Sequence, residues 1–318
     1  MDIMGKFFPV GHGLTYAFKI EKHHMLFDIS KQCNLIELEK FYGNKEINFM
    51  ILSHFHNDHM GGVCDLYKAG FSIEKIYIPY LDDDEQLFVE LRSFLRNGIY
   101  HSYSEIIESL PARIEEVDED VSLKEGIWEF NIHQNKGNSK QIINDIKNQL
   151  KVLGIIKNDD VRQHLQSNSK ISSIKKAYQN VMKKSSLNET SIFLEHGPIK
   201  KEIKVKEFRG FEYLNKNIKK GKIVKTHSLI TGDMNLVKNH KIILKYYDKL
   251  GFVLVPHHSG IKEWDSYICD NTQNTVWIVT IKGIASRPYG RIVRDIYNNK
   301  QELYICDKKN AFEYEYSI

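Results

Sequence analysis

The chain has 318 residues, of which 42% are hydrophobic and 27% charged, and a formal net charge of +4. That balance is ordinary for a folded soluble globule with a substantial core. No apolar run approaches the ~20 residues needed to span a bilayer, which excludes a membrane channel. Met1 to Phe7 lacks a basic segment followed by a long apolar one, so no secretory signal is expected. A cytoplasmic location and reduced thiols are therefore the expectation. The four cysteines, Cys33, Cys64, Cys269 and Cys306, form no CxxC, which argues against a zinc ribbon.

Strand-like runs at 6–11, 15–20 and 24–29 open the chain as a meander. A helix is expected over 34–41 and a buried strand over 48–53. After the run Ser53 to Gly62, Cys64 opens a short helix and reads as a packed structural thiol. Lys75 to Tyr80 reads as another buried strand, and Asp82 to Glu85 as an acidic first turn leading into a helix over 85–97. Residues 135–187 interrupt this alternation. Ser139 is placed to cap a helix striped by Ile142, Ile143, Ile146, Leu150 and Leu153, and Gly154 to end it. A later helix carries Ile171, Ile174, Tyr178 and Val181 on one face, with Lys175, Lys176, Lys183 and Lys184 beside it. The organisation expected is one domain over 1–318 with an inserted basic helical subdomain at 135–187. That subdomain reads as a structural cap, a substrate-gripping lid with a basic rim, or both.

The most informative segment is Ser53-His54-Phe55-His56-Asn57-Asp58-His59-Met60-Gly61-Gly62. Three histidines and a carboxylate fall within six residues, between a buried strand and a Gly-Gly turn. Imidazole and carboxylate are the ligands that zinc, manganese or iron take from a protein. A strand end gives them a rigid base, and glycine lets the backbone turn tightly beneath them. The same spacing on an exposed loop would carry no metal; the strand and the turn favour the metal site.

This HxHxDH run resembles the signature of the metallo-β-lactamase family, and further motifs follow in that family's order. An Asp at an early strand end is matched by Asp28 in His24 to Ile29. An Asp in a strand-Gly-Asp turn is matched by Asp233 in Ser228 to Asp233. A His at a late strand end is matched by His257 in Gly251 to His258. A third motif, a His between the second and fourth, has His133 as its best-placed candidate. An ordinary surface or core histidine is the alternative there. His196 follows a strand that should end at the opposite rim. The ends of the chain look like ComEC-like (competence-protein) members of the family. Phe7 to Thr15 resembles their opening strand, Asn188 to Leu194 their strand before the Gly-Asp turn, and His257-His258-Ser259-Gly260 their His-His-Gly-Ser turn. Thr275 to Val279, Arg287 to Gly290 and Glu302 to Cys306 resemble their last strand, helix start and hairpin. His12, Arg287 and the order Ser259-Gly260 depart from that pattern.

The resemblance implies an α/β fold, a four-layer αββα metallo-β-lactamase sandwich with a helical insertion. It implies two divalent metal ions, zinc or manganese. His54 and His56 would hold the first, with His133 as candidate third ligand. Asp58, His59 and His257 would hold the second, Asp233 would bridge them, and Asp28 would support the site from behind. His258 would then be left as a proton donor or a bystander, and Asp58 would act with it in catalysis. Arg287 would fork onto a phosphate or be a solvated helix-start residue. His12 would line the cleft or have no role.

Charge narrows the substrate. Residues 135–225 hold 21 Lys/Arg against 8 Asp/Glu, and the rest of the chain 24 against 33. A basic sector beside a metal site suggests a polyanion, with Lys175, Lys176, Lys183 and Lys184 as candidate contacts; the alternative is a merely solvated surface. The leading expectation is a metal-dependent phosphodiesterase or nuclease acting on nucleic acid or a nucleotide. A hydrolase of small esters, lactones or thioesters and a non-catalytic binding module are the alternatives. The intact HxHxDH run argues against the last.

Overall fold

The computed structural model describes residues 2–11, 13–183, 190–200, 202–258, 260, 264–281 and 290–317. The chain divides into two compact units. The first comprises residues 1–79, 112–135 and 191–318, the second 80–111 and 136–190. No helix among the described residues is long and apolar enough to cross a membrane.

The first unit is built on one sheet. Its strands are β1 (Ile3–Phe7), β2 (Tyr16–Ile20), β3 (His23–Phe27), β4 (Glu46–Ile51), β5 (Ser72–Pro79), β6 (Arg113–Val117), β7 (Val121–Glu125) and β8 (Trp128–Asn135). They continue with β9 (Ser191–Pro198), β10 (Lys204–Glu212), β11 (Asn217–Gly221), β12 (His227–Ile230) and β13 (Leu250–Leu254). The last are β14 (Val276–Thr280), β15 (Glu302–Cys306) and β16 (Phe312–Ser317). The spatial order is β6-β5-β4-β3-β2-β1-β16-β10-β15-β14-β13-β12-β9-β8-β7, with β11 paired to β10. Two stretches are parallel, β3 to β6 and β12 to β15.

Alternation along the strands explains the layering. In β13, Phe252 and Leu254 face one core, whereas Val253 faces another; in β14, Val276 and Ile278 oppose Trp277 and Val279 in the same way. The first core also takes Phe49 and Ile51 of β4 and Phe18 of β2, so the two halves of the sheet close on each other across it. The second core lies under helices Leu236–Ile243, Ser266–Asn271 and Gly290–Asn298. A period of two places each successive side chain on opposite faces, and both faces are buried where helices cover the parallel strands. This is the α/β sandwich that the sequence implies.

A hydrogen-bonded chain crosses the first core. The Trp128 indole donates to His196 Nδ1 at 3.0 Å. Indole is only a donor, so the neutral imidazole carries its hydrogen on Nε2 and donates it to the Tyr16 hydroxyl, 2.8 Å away. Tyr16 then meets Tyr314 at 2.5 Å, and Tyr314 meets Ser228 at 2.7 Å. Burial holds the His196 pKa well below the usual histidine value. His196 is thus a core residue, satisfied on both nitrogens.

The second unit packs five helices, Asp83–Asn97, Tyr103–Glu108, Ser139–Leu150, Asn158–Gln166 and Ile171–Met182. Its core joins Leu87, Phe88, Leu91 and Phe94 to Ile142, Ile143, Ile146, Leu150, Ile174 and Val181. The expected apolar stripes are packed there except for Leu153, which is exposed. Helix Asp83–Asn97, read from sequence as part of the main alternation, belongs with 136–190. It brings its acidic first turn with it. Lys147 pairs with Asp84 at 3.0 Å, Lys140 with Asp82 at 3.2 Å, and Arg162 with Asp83 and Glu90 at 2.7 and 2.9 Å. The unit as a whole holds 13 Lys/Arg against 11 Asp/Glu, a net of +2. The basic excess of 135–187 is therefore largely neutralised inside its own unit.

Candidate metal centre

Strand ends supply the polar residues. Asp28 follows β3, Ser53 and His54 follow β4, Asp233 follows β12, and His258 follows β13. These strands lie in the two parallel stretches, and the carboxyl ends of parallel strands are where α/β sheets open a crevice. After Ser53 the chain turns at once. His56 caps the one-turn helix Asn57–Met60 with extended backbone, which brings Asp58 and His59 back beside His54. Ile29 N–H donates to His59 O at 2.6 Å, Leu14 N–H to Asp58 O at 3.2 Å, and Gly62 N–H to Ile29 O at 2.9 Å. A Cβ on Gly62 would sit 2.8 Å from the Ser30 carbonyl oxygen, so this approach requires glycine.

The structure gathers two groups, His54 with His56 and Asp233, and Asp58 with His59 and His258. Within each, the candidate ligand atoms lie within 4.8 Å of one another. Asp233 faces both groups. Its Oδ2 is 3.4 Å from His54 Nε2 and its Oδ1 is 3.4 Å from His59 Nε2. His258 Nε2 is 3.5 Å from Asp58 Oδ2. Two donors each about 2.1 Å from a tetrahedral zinc stand about 3.4 Å apart, so these spacings fit a metal ion between them. The chemistry fits as well. His54 Nε2, His59 Nε2 and Asp233 Oδ1 are buried atoms with no hydrogen-bond partner among the described residues. Such orphaned polar atoms are costly unless something else meets them.

Behind the rings, Asp28 accepts from Ser53 N–H, from Ser53 Oγ–H and from His59 Nδ1–H, each at 2.7 Å. Ser53 Oγ is also 2.9 Å from His54 Nδ1. The electrostatics are strongly coupled. Burial, then the neighbouring His59 and His56, holds His54 well below the usual histidine range. Burial works against charge on His59, but the Asp233 and Asp28 carboxylates outweigh it and raise its pKa well above that range. Burial likewise opposes the charge on Asp233, yet His59 and His54 hold it far below the usual carboxylate value. Asp58 is also held low, against partial burial, by His258 and His59. Burial pushes Asp28 up, with His59 and Ser53 pulling the other way.

The expected residues fall into three classes. His54, His56, Asp58, His59 and Asp233 come together, with Asp28 behind them. The late histidines exchange places: His258 joins the second group, whereas His257 Nδ1 lies 3.8 Å from Asp233 Oδ2 and its side chain is 40% exposed. Both residues have left-handed backbone, φ 51° and 49°, so the turn sends successive side chains in different directions. His133 lies outside both groups. Trp128, Phe130 and Ile132 of β8 face the first core, so alternation turns His133 to the other face, where it stacks on Phe193. There its Nδ1 is 2.9 Å from Asp120 and its Nε2 is 3.2 Å from the Tyr246 hydroxyl. Cys64, expected to be packed, is exposed and outside both groups. Lys175, Lys176 and Lys183 are exposed in the second unit. His12, Lys184 and Arg287 lie outside the described residues.

Sequence reading missed two contributors, the hydroxyls of Ser53 and Thr280. Ser53 had a local signal, a hydroxyl residue directly before the first histidine. Thr280 had none, because it reaches His258 only through the pairing of β13 with β14.

No protein-family model matches the chain, and no curated protein matches it. Solved structures align along nearly its whole length at low identity. The metallo-β-lactamase fold protein YhfI from Bacillus subtilis is 11% identical with a TM-score of 0.47, covering 99% of this chain and 100% of that one. A diphosphatase of the PhnP family is 11% identical with a TM-score of 0.46, covering 100% of each. Unliganded yeast PDE1 is 10% identical with a TM-score of 0.47, covering 98% of this chain and 99% of that one.

Proposed function

We propose that this chain is a metal-dependent hydrolase whose two divalent ions, zinc or manganese, act on the phosphodiester of a nucleic acid or nucleotide. The observation that carries the reading is Asp233, which turns one carboxylate oxygen toward each histidine group at 3.4 Å. His54, His56 and Asp233 would hold one ion, and Asp58, His59 and His258 the other, with Asp233 facing both groups. Two ions so held would supply activation of a water near pH 7 and stabilisation of charge in a displacement at phosphorus.

The chain's own residues set the conditions for that chemistry. His54 is kept neutral by burial, so its Nε2 lone pair is available. Asp233 and Asp58 stay anionic and offset the positive charge placed between them. Two carboxylates suit two divalent ions better than a site with cysteine in one of these places, and this disfavours β-lactam hydrolysis. Asp58, whose side chain is partly exposed, is also placed to take a proton from an incoming water. His258 passes from proton donor to ligand in this reading, and His133 drops out of the ligand set.

Phosphodiesters are preferred for the dinuclear arrangement and for the exposed lysines of helix Ile171–Met182 and Lys183 just after it. A ComEC-like subgroup is the finer reading, supported by the Phe7 to Thr15 segment and the His257-His258 turn. A hydrolase of small esters, lactones or thioesters is the second reading. It is favoured by the near-neutral charge of the helical unit. A panel decides: the zinc- or manganese-loaded protein against single-stranded DNA, duplex DNA, RNA, cyclic nucleotides and a chromogenic ester. Turnover of the ester alone would overturn the phosphodiester reading.

A further inference from the structure

Ser53 is the most connected small residue of the centre. Its amide donates to Asp28 Oδ1, its carbonyl accepts from Ile192 N–H at 2.8 Å, and its side chain is fully buried. Its Cβ and Oγ lie 3.0 and 3.2 Å from where a Cβ on Gly232 would stand, against the turn that delivers Asp233. The hydroxyl has one hydrogen and faces three groups: Asp28 Oδ2 at 2.7 Å, His54 Nδ1 at 2.9 Å and His59 Nδ1 at 3.3 Å.

We propose that Ser53 is a positioning residue that fixes the tautomer of His54 and ties it, through Asp28, to that of His59. A carboxylate can only accept, so the hydroxyl hydrogen is spent on Asp28. The serine oxygen then accepts, and the hydrogen it accepts is the one on His54 Nδ1. Asp28 Oδ2 accepts the hydrogen on His59 Nδ1 in the same way. The neutral His54 ring is left with a bare Nε2 facing Asp233, and His59 keeps its Nδ1–H on Asp28. A single carboxylate and a single hydroxyl thereby orient one histidine of each metal group. A free neutral imidazole favours its hydrogen on Nε2. Without Ser53 that preference returns, and His54 carries a hydrogen on the atom meant for the metal. Outer partners of this kind are worth about 10–100-fold in metal affinity.

The inference rests on the metal reading above, but its first test does not require metal. Nitrogen-15 spectra of the metal-free full chain, at a pH where the His54 ring is neutral, report which nitrogen carries the hydrogen. The expected result is Nδ1–H for His54 in the wild type and Nε2–H in Ser53→Ala. A wild-type His54 with its hydrogen on Nε2 overturns the proposal outright, with no variant needed. The second test is zinc affinity by competition with a chromophoric chelator. Ser53→Ala should weaken it about 10–100-fold, while the melting temperature of the metal-free variant stays near that of the wild type. Unchanged affinity in a folded variant overturns the coupling. A wild type that shows the Nδ1–H tautomer but takes up no zinc would sink the metal reading and leave the tautomer assignment standing.

Discussion

Thr280 Oγ1 lies 2.8 Å from His258 Nδ1, a contact that holds His258 beside Asp58 and His59. Thr280 is the last residue of β14, beside the β13 end from which His258 emerges. With Nδ1–H bonded to the hydroxyl, His258 Nε2 is turned toward Asp58. Among the described residues His257 Nδ1 meets no such hydroxyl. We expect His258→Ala to lose more metal affinity than the about 10–100-fold typical of an outer partner. Thr280→Val should fall within that range, and His257→Ala should change affinity less than about 10-fold. Chelator competition on the three variants measures this. A greater loss for His257→Ala than for His258→Ala would restore the sequence-based order.

The shared carboxylate sets the stoichiometry. Metal analysis after reconstitution with zinc or manganese should give two ions per chain. Asp233→Asn keeps the side-chain shape but removes the charge facing both groups, so the count should fall to one or fewer. Two tightly held ions in Asp233→Asn would mean that Asp233 does not join the groups.

Asp58→Ala should abolish hydrolysis while the fold survives, because Asp58 lies at the rim of the centre and outside the cores. The loss expected is several kcal/mol of transition-state stabilisation, read as a fall in kcat and kcat/KM together. Circular dichroism checks the fold. A folded variant with full activity would remove Asp58 from the chemistry.

His196 makes the metal-free protein sensitive to mild acid. Its folded pKa lies below the unfolded value near 6.5, so the unfolded chain binds the proton first. Stability from this group is complete above pH 6.5 and declines as pH falls from there toward the folded pKa. The slope is at most about 1.4 kcal/mol per pH unit. Urea unfolding from pH 7 to 5 should show that slope reduced in His196→Gln, which keeps an acceptor and a donor for Trp128 and Tyr16. Equal slopes in the two proteins would assign the acid loss elsewhere.

If the lysines of the helical unit bind phosphates, replacing Lys175, Lys176, Lys183 and Lys184 by Gln should raise KM for a long nucleic acid. The log–log salt slope should drop by about 0.7–0.9 for each phosphate no longer neutralised, with kcat on a small diester unchanged. An unchanged salt slope would leave these lysines as solvated surface.

The parts of the site set by local spacing were legible. His54, His56, Asp58 and His59 share one turn, and Gly232-Asp233 carries its own turn signal. Choices made by other strands were not legible. The placement of His258 beside Asp58 involves Thr280, 22 residues further on. The choice between ligand and core histidine for His133 turned on one step of alternation, since nothing in the sequence says which face of β8 meets the first core. The fold shows the same division. Strand and helix positions follow from periodicity, but the allegiance of helix Asp83–Asn97 follows from which apolar stripe it meets. The ion pairs of Lys140, Lys147 and Arg162 with its first turn were hidden for the same reason.

The helical unit is made from two stretches of chain separated by β6, β7 and β8. The first stretch cannot bury its stripe alone, because its Leu87, Phe88, Leu91 and Phe94 meet Ile142, Ile146 and Val181 on the other. During synthesis the first helix must wait, its stripe exposed, until residues 139–182 have emerged. Protein engineering inherits the same constraint. Excising 136–190 by itself would leave that stripe bare and invite aggregation, so the unit can only be deleted or transplanted as a pair of segments.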